Sequence, residues 1–172
     1  MSAPKSLQIG VMLEAVQLSD VIGIDIFGSI SKVYMEPIAA FYATEHPDLA
    51  ALLPQLAPEI TLHYIASTLE VSHFTPGIGL GFVPTTTYAT CPHDLDILII
   101  GGPLPTHMPA DSTKFIKDVA ENGKTVVMSV CTGGMWLAKS GVLKGKKATA
   151  QRGVLPLLKT VHPEVGRDVV SI

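Results

Sequence analysis

The sequence has little cysteine and no long hydrophobic run. Its 172 residues include two cysteines and one tryptophan, so a small fold stapled by disulfides is not expected. The longest apolar stretches fall well short of the roughly 18 residues that a membrane-spanning helix needs. Near the N-terminus, Glu14 appears early and no long apolar segment precedes it, which argues against a secretory signal peptide. Together these features predict a cytoplasmic protein with two free thiols.

A strong excess of charge of either sign is also lacking. The chain has 12 Lys and Arg against 15 Asp and Glu, for a formal net charge of −3. Such a balance gives no reason to expect nucleic acid or an anionic membrane as a partner. Hydrophobic residues make up 47% of the chain, which is enough for a sizeable core. The length favours a single domain over 1–172.

Buried strands alternate with helices along the chain. The predicted strands cover 7–13, 60–66, 94–103 and 125–130, and a further strand starts within 167–172. The predicted helices cover 19–34, 111–124, 132–140 and 154–161. Two segments are less regular, an insertion at 35–59 with a short helix around 48–54, and a hairpin or pair of short strands at 76–88. This alternation predicts an α/β fold with a mostly parallel sheet covered by helices on both faces.

Cys131 lies where a buried strand passes into a helix, and two glycines follow shortly after it. Sites in open α/β sheets form at the carboxyl ends of strands, where Gly101 and Gly102 are also expected. A sharp strand-to-helix turn exposes its nucleophile, and small residues after it prevent clashes. Because a helix N-terminus favours an anion, this position suits a reactive thiolate. The alternative is a buried cysteine that acts as a small hydrophobe.

Two segments around Cys131 resemble the ThiJ/PfpI superfamily, the cysteine-elbow relatives of class I glutamine amidotransferases. They are SVCTG at 129–133 and LAKSGVLKGKKAT at 137–149. Upstream, 76–103 resembles the hairpin and following strand of the family, and 17–25 (QLSDVIGID) resembles its early helix with the acidic partner. The resemblance covers most of 7–165. It implies a flavodoxin-like three-layer sandwich with a cysteine nucleophile elbow, usually a homodimer, with no metal or organic cofactor.

Thr132 follows the cysteine, where many superfamily members have histidine, and this argues against a Cys–His protease. A Cys-Thr-Gly motif with an early acid is similar to the isonitrile hydratase branch. That resemblance implies Cys131 as nucleophile and Asp20 as acid and base, in the hydration of an isonitrile to an N-formamide. Backbone groups of Thr132, Gly101, Gly102 and Gly133 would form an oxyanion or substrate-binding site. The alternative for Asp20 is a helix N-cap, which Ser19 could also supply.

Three features depart from that branch. Residues 35–59 look longer than the matching connection in the bacterial hydratases. Residues 150–152 are Ala-Gln-Arg where the branch commonly has Thr-His-Trp, so the pocket wall and the substrate are expected to differ. Family members usually continue beyond the length seen here with another strand and a C-terminal helix. Without that part, an apolar face is expected to need cover from a second copy or a second chain.

Two further polar residues are candidates for the site. Glu14 ends the first predicted strand, near the same sheet edge as Cys131, and is the alternative acid if Asp20 points away. His107 follows the Gly101–Gly102 turn in a loop that is expected to border the pocket. The other interpretation of His107 is a solvated loop histidine.

Three functions stay open on the sequence, and an enzyme is favoured. The first is a cofactor-free hydratase or lyase that acts on a small electrophile, most concretely an isonitrile. The second is glyoxalase- or deglycase-like chemistry on a reactive aldehyde. The third is a non-catalytic module that binds a ligand or senses oxidants through Cys131.

Overall fold

A computed structural model of the chain describes residues 6–75, 77–104 and 106–166. Its main sheet has the strand order β5-β2-β1-β6-β7, and every neighbouring pair is parallel. These strands are β1 (Leu7–Met12), β2 (Ile60–Ala66), β5 (Thr86–Thr87), β6 (Ile97–Ile100) and β7 (Val126–Ser129). Two short strands, β3 (Ser72–His73) and β4 (Gly81–Phe82), form a separate antiparallel pair.

The centre of the sheet forms the core. Val11 of β1 pairs with Tyr64 of β2 on one side and with Ile99 of β6 on the other. Consecutive residues such as Val11 and Met12 are both fully buried, because helices cover both faces of a parallel sheet. Each buried side chain of this size contributes roughly 1.5–3 kcal/mol.

Helices fill the connections between strands. They are α1 (Leu18–Val21), α2 (Ile24–Ile30), α3 (Lys32–Tyr42), α4 (Pro47–Leu56), α5 (Ala110–Glu121), α6 (Gly133–Lys139) and α7 (Leu155–Val161). A buried hydrogen bond joins α5 to α6, because Trp136 Nε1 donates to Ser112 Oγ at 2.7 Å. This architecture confirms the predicted α/β class with a mostly parallel sheet.

The single helix predicted over 19–34 is wrong. The chain forms α1, α2 and the start of α3 instead, with the second break at Ser31. Ser31 has extended backbone angles, φ −68° and ψ 153°, and its Oγ accepts a hydrogen bond from Tyr34 N at 3.3 Å. A residue in that conformation caps a new helix and cannot continue the old one.

Three other predictions need correction. Gln17 is the N-cap of α1, so Asp20 and Ser19 are not helix caps. The segment 35–59 is mostly helical, since it contains most of α3 and all of α4. Within 76–88 the chain forms two short strands, as one alternative predicted, but the hairpin alternative is wrong, because β4 pairs with β3 outside that range and β5 joins the main sheet. The strand predicted at the end, 167–172, lies outside the described residues.

One edge of the main sheet is apolar and exposed. Among residues 6–75, 77–104 and 106–166, β7 is the last strand on that side, and Val126, Met128 and Val130 are all exposed there. An apolar groove beside them is bordered by Ile26 and Phe27. Within the described part of the chain, no helix combines the length and the hydropathy needed to cross a bilayer.

Candidate active site

Cys131 stands on a sharp, strained turn. β7 ends at Ser129 and α6 begins at Gly133. Between them Cys131 has φ 55°, in the left-handed region that non-glycine residues rarely adopt. The turn is tight because Gly133 N donates to Val130 O at 2.9 Å. The side chain of Cys131 is exposed, so this backbone strain, of order 1–3 kcal/mol, presents the thiol to solvent.

The two glycines after the elbow differ in what surrounds them. A Cβ on Gly133 would lie 2.5 Å from the backbone oxygen of Ile100, at the end of β6. A Cβ on Gly134 would meet nothing within 4 Å. The close approach of the turn to the neighbouring strand therefore requires glycine at 133 only, and the prediction that both glycines relieve a clash is half right.

Asp20 reaches the loop that follows β6. Its Oδ2 accepts a hydrogen bond from Gly102 N at 2.9 Å. A Cβ on Gly102 would lie 2.7 Å from that oxygen and 2.6 Å from Thr132 Oγ1. The carboxylate of Asp20 and the hydroxyl of Thr132 thus approach the same point in space. A side chain at position 102 would clash with both oxygens, so this position requires glycine.

Thr132 is fixed to the same loop. Its Oγ1 donates to the carbonyl oxygen of Pro103 at 3.1 Å. On the other side, Gln17 N donates to Gly102 O at 3.2 Å. The loop after β6 is therefore held between the start of α1 and the elbow, and it brings Asp20 and Thr132 together.

The glycine N–H groups that were expected to bind an oxyanion already have partners. Gly102 N donates to Asp20 and Gly133 N donates to Val130 O. Gly101 is packed closely, since a Cβ there would lie 2.9 Å from Val21 Cγ1. The N–H groups of Gly102 and Gly133 are thus engaged with protein acceptors, and the oxyanion site expected from Thr132 and the Gly101–Gly102 turn stays a prediction. The visible contribution of these glycines is to hold a carboxylate and to allow close packing.

Glu14 turns away from the elbow. Its Oε2 accepts hydrogen bonds from Ser67 N at 2.9 Å, Ser67 Oγ at 2.8 Å and Tyr88 Oη at 3.3 Å. Ser67 follows β2 and Tyr88 follows β5, both on the side of β1 opposite to β7. Burial, followed by the negative charge of Glu14, raises the pKa of Tyr88 well above its usual value, so its hydroxyl stays a donor.

His107 belongs with Glu14. Its Nε2 lies 3.4 Å from Glu14 Oε1, and its side chain is about two-thirds buried. His107 is thus not a freely solvated loop residue. Strand order decides this grouping, and the sequence carried no signal for it.

The two cysteines differ in their surroundings. Cys91 is buried, and burial raises the pKa of its thiol to about 12, so Cys91 is an inert core thiol at neutral pH. Cys131 is exposed. Among the described residues, no group of three or more His, Cys, Asp or Glu is placed to hold a metal ion.

A cavity that the sequence analysis missed opens beside Thr132. Its volume is about 420 Å³, and it lies between α6, α7 and the loop residue Met108. The helical spacing of Met135 and Lys139 on α6 was the available signal, since residues four apart share one face of a helix.

A parallel α/β sheet with an exposed cysteine on a strained strand-to-helix turn defines the class of cysteine-elbow α/β proteins. The model of the DJ-1/PfpI family matches residues 36–170. The chain belongs to this family, which confirms the resemblance seen in the sequence.

Particular relatives agree with this assignment. The chain is 33% identical to an isonitrile hydratase of Pseudomonas putida over 107 residues, 60% of this chain and 45% of the relative. A ThiJ/PfpI family protein from Pseudomonas syringae superposes with a TM-score of 0.60 at 23% identity, over 88% of this chain and 54% of that one. A two-domain protein from Anabaena variabilis, with DJ-1/ThiJ/PfpI-like and ferritin-like domains, gives a TM-score of 0.64 at 17% identity. The superposed region is 97% of this chain and 40% of the Anabaena variabilis chain. The chain spans less than half of the curated relative.

Proposed function

We propose that the chain is a cysteine-dependent hydratase or lyase that acts on a small electrophile, most concretely an isonitrile. The observation that carries this proposal is the exposed Cys131 on its strained elbow, with Asp20 and Thr132, the neighbour of Cys131, both placed against Gly102 in the loop after β6. The 33% identity to an isonitrile hydratase supports the same chemistry.

In the first step the thiolate of Cys131 attacks the terminal carbon of the isonitrile and forms a carbon–sulfur bond. Asp20, as general acid, gives its proton to that carbon, and the product is a thioimidate on the enzyme. This carbon needs no oxyanion donor at this stage, which fits N–H groups that are already engaged with protein acceptors.

In the second step water adds to the thioimidate carbon and the carbon–sulfur bond breaks. One proton of the water goes to nitrogen and the other returns to the carboxylate of Asp20. The products are the N-formamide and the free thiolate of Cys131, so the net change is the addition of one water to the isonitrile.

The setting that we propose for this activity is a single domain over 1–172, working as a cytoplasmic homodimer without a metal or organic cofactor. Aldehyde chemistry of the glyoxalase or deglycase type is the second candidate, because an exposed thiol on an elbow also suits attack on a carbonyl. The absence of a histidine at 132 favours the first candidate.

The first experiment measures the rate at which iodoacetamide labels each cysteine, by peptide mass spectrometry over about pH 4 to 10. Cys91 alone is a poor reference, because burial already slows it. The better reference is Cys131 in the urea-unfolded chain. We expect labelling in the folded chain to be faster below pH 8. Equal rates in the folded and unfolded chain would mean that the elbow does not activate the thiol.

The second experiment measures formamide release from a panel of isonitriles. We expect no turnover with Cys131→Ser and a fall of roughly 10²–10⁴-fold with Asp20→Asn. Gly134→Ala is the matched control, because that position is open, and it should retain activity. Wild-type release no faster than that of Cys131→Ser would exclude the hydratase. Loss of methylglyoxal would favour the aldehyde candidate, and oxidation of Cys131 without turnover would favour a sensor.

A further inference from the structure

The cavity beside the elbow has an apolar wall built from two helices and a loop. Its apolar lining consists of Met108, Met135, Val154, Leu157 and Val161. Its volume of about 420 Å³ lies within the range of roughly 300–1,000 Å³ that is usual for small-molecule sites. Leu157 and Val161 are each about half exposed, so apolar surface is available for a ligand to cover.

The spacing of the lining residues places them on two helix faces. Thr132, the N-cap of α6, and Met135 and Lys139 within α6 are three and four residues apart, which aligns them along one side of the helix. On α7, Leu157 and Val161 are four apart in the same way. The cavity is therefore a slot that runs along α6 from its N-terminal to its C-terminal end.

The two ends of the slot differ chemically. Thr132, the neighbour of Cys131, lies at one end. At the other end Lys139 Nζ donates to Met108 O at 2.9 Å, which fixes the ammonium at the rim and uses one of its three donors. The other basic lining residue, His162, lies 3.1 Å from Glu164. Lys139 thus supplies an oriented positive charge to an otherwise apolar slot.

We propose that this slot binds a small molecule with an apolar body and a terminal carboxylate. The carboxylate contacts Lys139 and the apolar body lies against Leu157 and Val161. The far end of the molecule reaches Thr132. A helix rises about 1.5 Å per residue, so the Cα atoms of Thr132 and Lys139 at the two ends of the slot lie roughly 10 Å apart. If the proposed function holds, on which this extension rests, the substrate is an electrophile with a carboxylate about 10 Å from its reacting carbon.

The test uses straight-chain alkanoates from butanoate to decanoate, which cannot react with a thiol. Binding is measured by calorimetry and by the ¹³C-methyl NMR signals of Met108 and Met135. We expect the Kd to fall by up to roughly fourfold per added methylene until the slot is filled. Only the Met108 and Met135 signals should shift strongly. Weak binding that does not depend on chain length, or shifts at other methionines only, would overturn the site.

Variants separate the charge from the apolar wall. Lys139→Met keeps an apolar stem and should weaken decanoate binding several-fold while it leaves decanamide unchanged. Leu157→Asp places a negative charge in the slot, where it repels the carboxylate of the ligand, and should abolish the binding of decanoate. The matched control is Leu56→Asp, at a similarly exposed leucine on α4 outside the slot, and it should bind like wild type. An equal effect of Lys139→Met on acid and amide would refute the carboxylate contact.

Competition with iodoacetamide tests the connection to the elbow. Bound decanoate should slow the labelling of Cys131, because the slot includes Thr132. If decanoate binds but does not slow the labelling of Cys131, the slot is not part of the site around Cys131. All binding measurements are repeated in Cys131→Ser, which has no reactive thiol there. A failed isonitrile assay together with intact alkanoate binding would thus refute the proposed function and leave the site standing.

Discussion

The contrast between Gly133 and Gly134 gives the sharpest prediction, because the two residues are adjacent and only one is crowded. In Gly133→Ala the new methyl group would lie 2.5 Å from the backbone oxygen of Ile100, whereas in Gly134→Ala it meets nothing within 4 Å. The oxygen belongs to the main chain of β6, which is paired on both sides. It therefore cannot swing away as a flexible side chain would.

The expected magnitudes follow from two opposing effects. Overpacking in a rigid site costs about 1–3 kcal/mol or more, while replacing a helical glycine by alanine gains about 0.5–1 kcal/mol. Gly133→Ala should therefore be destabilised by roughly 2 kcal/mol, and Gly134→Ala should be neutral or slightly stabilised. With a urea m-value of about 2 kcal/mol/M, the two unfolding midpoints should differ by about 1 M.

The assay is equilibrium urea unfolding of wild type and both variants, followed by circular dichroism. The wild-type m-value should be retained, so that midpoints can be compared directly. If the two variants unfold within about 0.3 M of each other, the close approach between the elbow and β6 does not constrain the fold. The account of glycine at 133 would then be wrong.

Two other predictions concern the core. Ser112→Ala should destabilise the chain by about 1–3 kcal/mol, because it leaves the buried Trp136 N–H without its acceptor. In a Trp136→Phe background the same change should cost much less. The second prediction is a loss of stability with rising pH, caused by Cys91, whose folded pKa is about 12 against about 8.5 unfolded. The stabilisation is complete below pH 8.5 and is lost above it, at up to about 1.4 kcal/mol per pH unit. Unfolding measured between about pH 8.5 and 10 should show this slope in wild type and a smaller one in Cys91→Ala. If Cys91→Ala shows the same slope of unfolding free energy against pH as wild type, another titrating group causes the loss of stability.

Sequence patterns predicted the sheet well because its strands are short runs of mostly apolar residues, and the central strand β1 is buried on both faces. The predicted strand 60–66 coincides with β2, and 125–130 contains the whole of β7. The helices were harder. The apolar spacing over 19–34 looked continuous, but Ser31 breaks it by capping α3 with its own hydroxyl. The Pro-containing segment 35–59 was predicted as an insertion, yet α3 continues through Pro37.

The candidate site shows the same division between local and distant information. The elbow at Cys131 could be predicted, because a strand, a small polar residue and two glycines stand next to one another in the sequence. The partner of Gly102 could not be derived from spacing, because Asp20 reaches it across 82 residues. The orientation of Glu14 depends on which strand lies beside β1, and only the folded order of the sheet reveals that.

The exposed edge of β7 gives the sheet a place at which it can grow. An edge strand offers unpaired backbone groups, and here its exposed side chains, Val126, Met128 and Val130, are apolar. In the part of the chain that the structure describes, β7 pairs on one side only, and it ends at Ser129, two residues before the nucleophile. Cys131 follows the end of β7 closely. A strand that pairs with β7 and shifts its end would therefore also move Cys131 and change the access of solvent to its thiol.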